Sequence, residues 1–121
     1  MLSGASLATP GRARAFVRRH STAWGVSAAV VSSLELIVSE LATNAVRHTR
    51  SRHIKLRLTL SKGKVTVAVT DSGPRHPLQS SAPEDESEHG RGLFLVEALS
   101  DSWGHEAHGD GSRVWAAIRA R

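Results

Sequence analysis

The clearest helical pattern in the chain runs from Leu34 to His48, LELIVSELATNAVRH. At 100° per residue, Leu34, Ile37, Val38, Leu41 and Ala45 fall in one apolar stripe, and Glu40, Asn44 and His48 form a polar row along its border. With Ser27 as a fair N-cap, the spacing predicts a helix from about Ala28 to Arg47. Upstream, Pro10 suits a first helical turn, and Ala13, Phe16, Val17 and His20 repeat at three and four, which predicts a helix over Pro10–Trp24 closed by Gly25. Arg12, Arg14, Arg18 and Arg19 fall mostly off that stripe and read as a solvated face.

Downstream the period changes to two. Residues 53–60 place Ile54, Leu56, Leu58 and Leu60 on one face and Lys55, Arg57 and Thr59 on the other, as a half-buried strand does. Ser61-Lys62-Gly63-Lys64 is a short turn, after which Val65, Val67 and Val69 resume the alternation, so the pair predicts an antiparallel hairpin. The second strand runs into Thr70-Asp71-Ser72-Gly73-Pro74, and from Arg75 to His89 no periodicity survives. Pro77, Pro83 and the acidic cluster Glu84-Asp85-Glu86 mark that segment as a loop, long enough to suggest a role. Gly90-Arg91-Gly92 then opens a helix to about Leu99, with Leu93, Val96 and Leu99 at its buried spacing. Residues 101–107 and 113–119 predict a second hairpin around Gly109-Asp110-Gly111. The order predicts an α+β fold: an α/β sandwich with a mixed, mainly antiparallel sheet and about three helices on one face. Residues 1–9 read as a short N-terminal segment, and residues 10–121 as a single domain.

Composition narrows the partners. There is no cysteine, hence no disulfide and no thiolate metal site, which suits a reducing cytoplasm. No run of consecutive apolar residues approaches the ~18 needed to span a bilayer, and the N-terminus lacks a charged region followed by an apolar core, so no membrane is expected. The formal charge of +5 raises nucleic acid as a partner. The excess is confined to residues 1–60, however, with nine Lys/Arg against two Asp/Glu, while residues 61–121 carry seven against nine. With two Phe, no Tyr and three separated Trp, no stacking platform for single strands is evident, and direct nucleic-acid binding is not expected.

Three local patterns carry chemistry. Polar residues bordering an amphipathic helix are commonly just solvated, but an acid at a core margin is half desolvated and can accept a proton, which singles out Glu40 in its row with Asn44 and His48. Asp71-Ser72-Gly73 sets a carboxylate at a strand end beside a glycine that admits close backbone approach. His89-Gly90-Arg91-Gly92-Leu93 feeds a helix N-terminus, where unpaired amides and the helix dipole favour an anion. Each is weak alone, and neither a Walker A loop nor a dinucleotide fingerprint is present.

In this order, the segments resemble the GHKL ATPase family, the ATP-binding fold of gyrase, histidine kinases and MutL, and within it the small anti-sigma-factor serine/threonine kinases of the RsbW and SpoIIAB type. Glu40-Leu41-Ala42-Thr43-Asn44-Ala45-Val46-Arg47-His48 matches the family's N box, Asp71-Ser72-Gly73 its G1 box and Gly90-Arg91-Gly92-Leu93 its G2 box. The resemblance implies ATP and Mg²⁺ as cofactors, Glu40 as general base, Asn44 as the Mg²⁺ ligand, Asp71 as acceptor for the adenine amino group, and Gly73 as the residue that gives the base room. It also implies that Gly90, Gly92 and Leu93 wrap the phosphates with Arg91 and His48 near them, that Ser112 supplies a hydroxyl near the adenine, and that residues 78–89 form the ATP lid. The implied partners are an anti-anti-sigma-type protein substrate and a sigma factor, with phosphotransfer to serine or threonine controlling transcription. Two departures stand out: Arg75 occupies a position where the family often repeats glycine, and where the family usually begins with a strand residues 1–9 are short and rich in small residues, so either that strand is frayed or the sheet lacks an edge, and an uncovered edge or face would suit a homodimer. The alternative from another class is a nucleotide-responsive binding module without kinase activity; a nucleic-acid-binding domain rests on charge alone.

Overall fold

The computed structural model describes residues 2–47, 54–71, 94–108 and 111–120. Two helices, α1 (Pro10–Ala23) and α2 (Ala28–Arg47), follow a first strand, β1 (Leu2–Ala8). The chain continues through β2 (Ile54–Ser61) and β3 (Lys64–Thr70), a helix over 94–99, then β4 (Ser102–His108) and β5 (Gly111–Arg119). The five strands form one sheet in the order β1-β2-β3-β5-β4.

The α+β sandwich expected from the periodicities is present, but the sheet is not mixed: all four pairings among the described strands are antiparallel. A parallel neighbour would need a crossover between adjacent strands. Here β2–β3 and β4–β5 are hairpins, and the long excursion after β3 brings β5 back antiparallel to it. The stretch of small residues at the N-terminus is not missing from the sheet either. Leu2 through Ala8 pairs in continuous register with Leu60 through Ile54, so β1 is an edge strand that covers the open side of β2. Gly111, read as part of a turn, instead opens β5 and pairs with His108.

The core lies between sheet and helices. The predicted α2 stripe is buried throughout: Leu34, Ile37 and Val38 are fully enclosed, with Leu41 and Ala45 beside them. Leu56 and Leu58 of β2 and Val65, Val67 and Val69 of β3 meet that stripe from the sheet. Val96 of the 94–99 helix joins the same cluster, and Leu99 packs at its margin. Burial of each such Val or Leu side chain contributes about 1.5–3 kcal/mol. By length and mean hydropathy alone, Ala28–Val46 is apolar enough to cross a membrane, although polar residues such as Glu35, Glu40 and Asn44 interrupt it. Half of that window is buried inside this fold, which is what the central helix of a packed domain requires.

The joints follow local chemistry. Gly25 has φ +79°, and its N–H donates to the Thr22 carbonyl at 3.0 Å, ending α1 where a side chain would be strained. The Ser27 hydroxyl accepts from the Val30 N–H at 3.4 Å at the start of α2. Lys62 and Gly63 both take positive φ, 54° and 76°, the two-residue turn whose twist suits a tight hairpin. The α1 arginines are exposed, as expected of a solvated face, yet two reach α2: Arg18 to Glu35 at 3.7 Å and Arg14 to the Ser39 hydroxyl at 3.2 Å.

Candidate functional site

Two places hold the sequence-predicted site residues that lie within the described chain. The first is the junction of β3 and β5. Asp71 continues the inward parity of Val65, Val67 and Val69, so its carboxylate turns to the helix-covered side of the sheet. Its backbone N–H donates to the Ser112 carbonyl at 3.0 Å, extending the ladder by one residue. In return the Ser112 N–H donates to Asp71 Oδ1 and the Ser112 hydroxyl to Oδ2, both at 2.9 Å. Both residues are buried, Asp71 at 4% exposure and Ser112 at 5%. Each carboxylate oxygen keeps a further acceptor site, so Asp71 is oriented by the protein and can still receive an N–H from a ligand.

Gly111 makes this junction possible. A Cβ there would run into the Asp71 backbone oxygen and Oδ1. Sequence reasoning treated Gly111 as a turn residue, although a glycine beside a strand's first polar residue is also the signature of close backbone approach. Only the pairing of β5 with β3 reveals which backbone approaches.

The second place is the polar border of α2. Glu40 is half buried; Asn44, one turn on, is 9% exposed. The Asn44 Nδ2 is enclosed and has no hydrogen-bond partner within the described structure. A buried amide donor left unpaired costs about 1–3 kcal/mol, which singles Asn44 out among the polar residues of this border. Because the amide can turn end for end, the same side chain can offer either N–H to a phosphate oxygen or its carbonyl oxygen to a cation. Among the described residues no three His, Asp or Glu converge to hold a metal. A carboxamide oxygen is a hard donor of the kind that Mg²⁺ accepts alongside the oxygens of a nucleotide's phosphates.

Helix α2 packs across β3 and β5, the strands that lead to Asp71 and Ser112, so both places belong to one layer interface. His48, Gly73, Gly90, Arg91, Gly92 and Leu93, together with Arg75 and the 78–89 segment, lie outside the described residues.

No curated protein matches the chain in sequence. Among solved structures, a chain of the SiaB–SiaC complex from Pseudomonas aeruginosa superposes with a TM-score of 0.66 at 12% identity, covering 98% of this chain and 90% of that one, which establishes a shared fold. The family model for the histidine kinase-like ATPase domain matches residues 4–118. That span begins within β1, ends within β5 and takes in the other three strands and both long helices. The chain thus belongs to the histidine kinase-like ATPase family, and its buried Asp71 and unpaired Asn44 lie in a nucleotide-binding domain.

Proposed function

We propose that the protein is an ATP- and Mg²⁺-dependent regulator that transfers the γ-phosphate to a serine or threonine of an anti-anti-sigma-type partner, and so controls transcription by partner switching with a sigma factor. The observation that carries this reading is the unpaired, buried Asn44 amide one helical turn from the half-buried Glu40. Asn44 would hold Mg²⁺ together with the phosphates; the ion supplies charge neutralisation at the transferring group. Glu40, on the same border of α2, would accept the proton of the attacking hydroxyl, directly or through one water. Asp71, with its orientation set by Ser112, would accept from the adenine amino group, beside the room left by Gly73. The Gly90–Leu93 segment would contribute backbone amides and Arg91 to the phosphates, with His48 close by.

Support for a protein partner comes from the structural neighbour, which is a chain of a two-protein complex. A chain without cysteine suits the reducing cytoplasm where such regulators act.

The test uses γ-labelled ATP and a panel of purified anti-anti-sigma-type proteins. Label should appear on a partner serine or threonine with the wild-type protein. Glu40→Ala should leave ATP affinity within a few-fold and slow transfer by about 10²–10⁴-fold. Unchanged transfer by Glu40→Ala would remove Glu40 from its role. Tight ATP binding that alters partner affinity without any transfer would identify the protein as a nucleotide-responsive binding module instead.

A further inference from the structure

The face of the sheet turned away from the helices is strongly cationic. Alternation along β2, β3 and β5 sends Leu56, Leu58, Val65, Val67 and Val69 into the core and therefore Lys55, Arg57, Lys64, Arg113 and Arg119 to the opposite face. Glu106 of β4 is the one carboxylate at a position of the same parity, and it is already paired with Arg113 at 2.8 Å. Asp101 lies at the rim, where it accepts from the Arg119 backbone N–H. Among the described residues, Lys55, Arg57, Lys64 and Arg119 have no carboxylate partner for their side chains, and all four are exposed.

In the middle of these cations lies an indole. Trp115 stands opposite Ala68 on one side and Gly104 on the other. A Cβ at Gly104 would sit 2.6–2.7 Å from Nε1, Cε2 and Cζ2 of Trp115, so the ring lies flat across the β4 backbone in space that only glycine leaves open. The small floor residues Ala68 and Ala117 are buried beside it, while the indole itself remains partly exposed. Small residues in the floor and one flat aromatic in the centre make a broad surface rather than a groove.

We infer that this face docks an acidic protein surface, with Trp115 as its apolar anchor and Arg57, Lys64 and Arg119 as the surrounding charges. Trp and Arg are the side chains that most often dominate protein interfaces, and a ring of unpaired cations steers an acidic partner into place. A second copy of this chain would bring like charges together, which costs affinity. Single-stranded nucleic acid is held by successive aromatics, and among the described residues of this face Trp115 is the one Trp, Tyr or Phe. The face is on the side of the sheet away from α2, so a partner bound there leaves Glu40 and Asn44 uncovered, and the inference does not rest on the nucleotide reading.

The full chain, ¹⁵N-labelled, is titrated with three probes: a short peptide alternating Glu and Leu, a single-stranded oligonucleotide and a duplex of similar charge. The peptide should bind most tightly and shift amides of β2, β3 and β5, with the Trp115 indole N–H among them. Arg57→Glu and Lys64→Glu, both at exposed positions, should each weaken peptide binding about ten-fold while melting temperature stays unchanged. Shifts on the α1 arginines in place of the sheet, tighter binding of either oligonucleotide, or self-association through this face without peptide would each overturn the proposal.

Discussion

Asp71 and Asn44 are both more than nine-tenths buried, and both border the interface between α2 and the sheet, yet they stand in opposite conditions. Both carboxylate oxygens of Asp71 have a protein donor, supplied by a residue 41 positions away. Asn44 has its Nδ2 enclosed with no partner among the described residues. The two differ in how the fold uses buried polarity. At Asp71 the protein satisfies the group itself and so sets its orientation before any ligand arrives. At Asn44 no described residue offsets the desolvation of the amide.

That contrast can be broken most severely from the Asp71 side. Gly111→Ala forces a Cβ onto the Asp71 backbone oxygen and Oδ1, so β5 or Asp71 must move. The expected loss is about 3 kcal/mol in urea unfolding, at the upper end for overpacking. An unfolding midpoint equal to wild type would show that the junction is softer than its geometry implies. Asp71→Ala removes the acceptor for both the Ser112 N–H and hydroxyl and leaves them buried, which should cost about 2–3 kcal/mol with or without nucleotide. A loss seen only when ATP is present would mean that Asp71 serves the ligand alone.

Asn44→Leu sharpens the comparison with the smallest effect on the ligand-free protein. Replacing an unpaired buried amide by an apolar side chain of similar size should leave stability unchanged or raise it by about 1 kcal/mol. The same substitution should abolish the rise in melting temperature that ATP with Mg²⁺ gives the wild type. Destabilisation of the ligand-free protein by Asn44→Leu would place Asn44 among the structural groups, alongside Asp71.

What the sequence determined by itself was the local periodicity and the chemistry carried by contiguous motifs. The 3.6-residue repeat from Leu34 to Ala45 defines the buried face of α2, and the alternation in Ile54–Leu60 and Val65–Val69 defines a hairpin, because side-chain direction in each element is a property of the backbone repeat. Glu40 and Asn44 were legible for the same reason: both lie on a border that the helical repeat fixes. Tertiary structure decided the rest. Residues 2–8 contain no β-branched side chain and no alternation to read, and they become a strand because the edge of β2 offers a row of unpaired backbone groups. The antiparallel return of β5 onto β3 could not be read from either strand, since period two is the same for parallel and antiparallel neighbours. That return brings Ser112 and Gly111 to Asp71, so the orientation of the carboxylate depends on a contact across 41 residues. The isolation of Asn44 is likewise a fact about its surroundings: sequence places the amide at the core's edge, and only packing decides whether a partner is within reach.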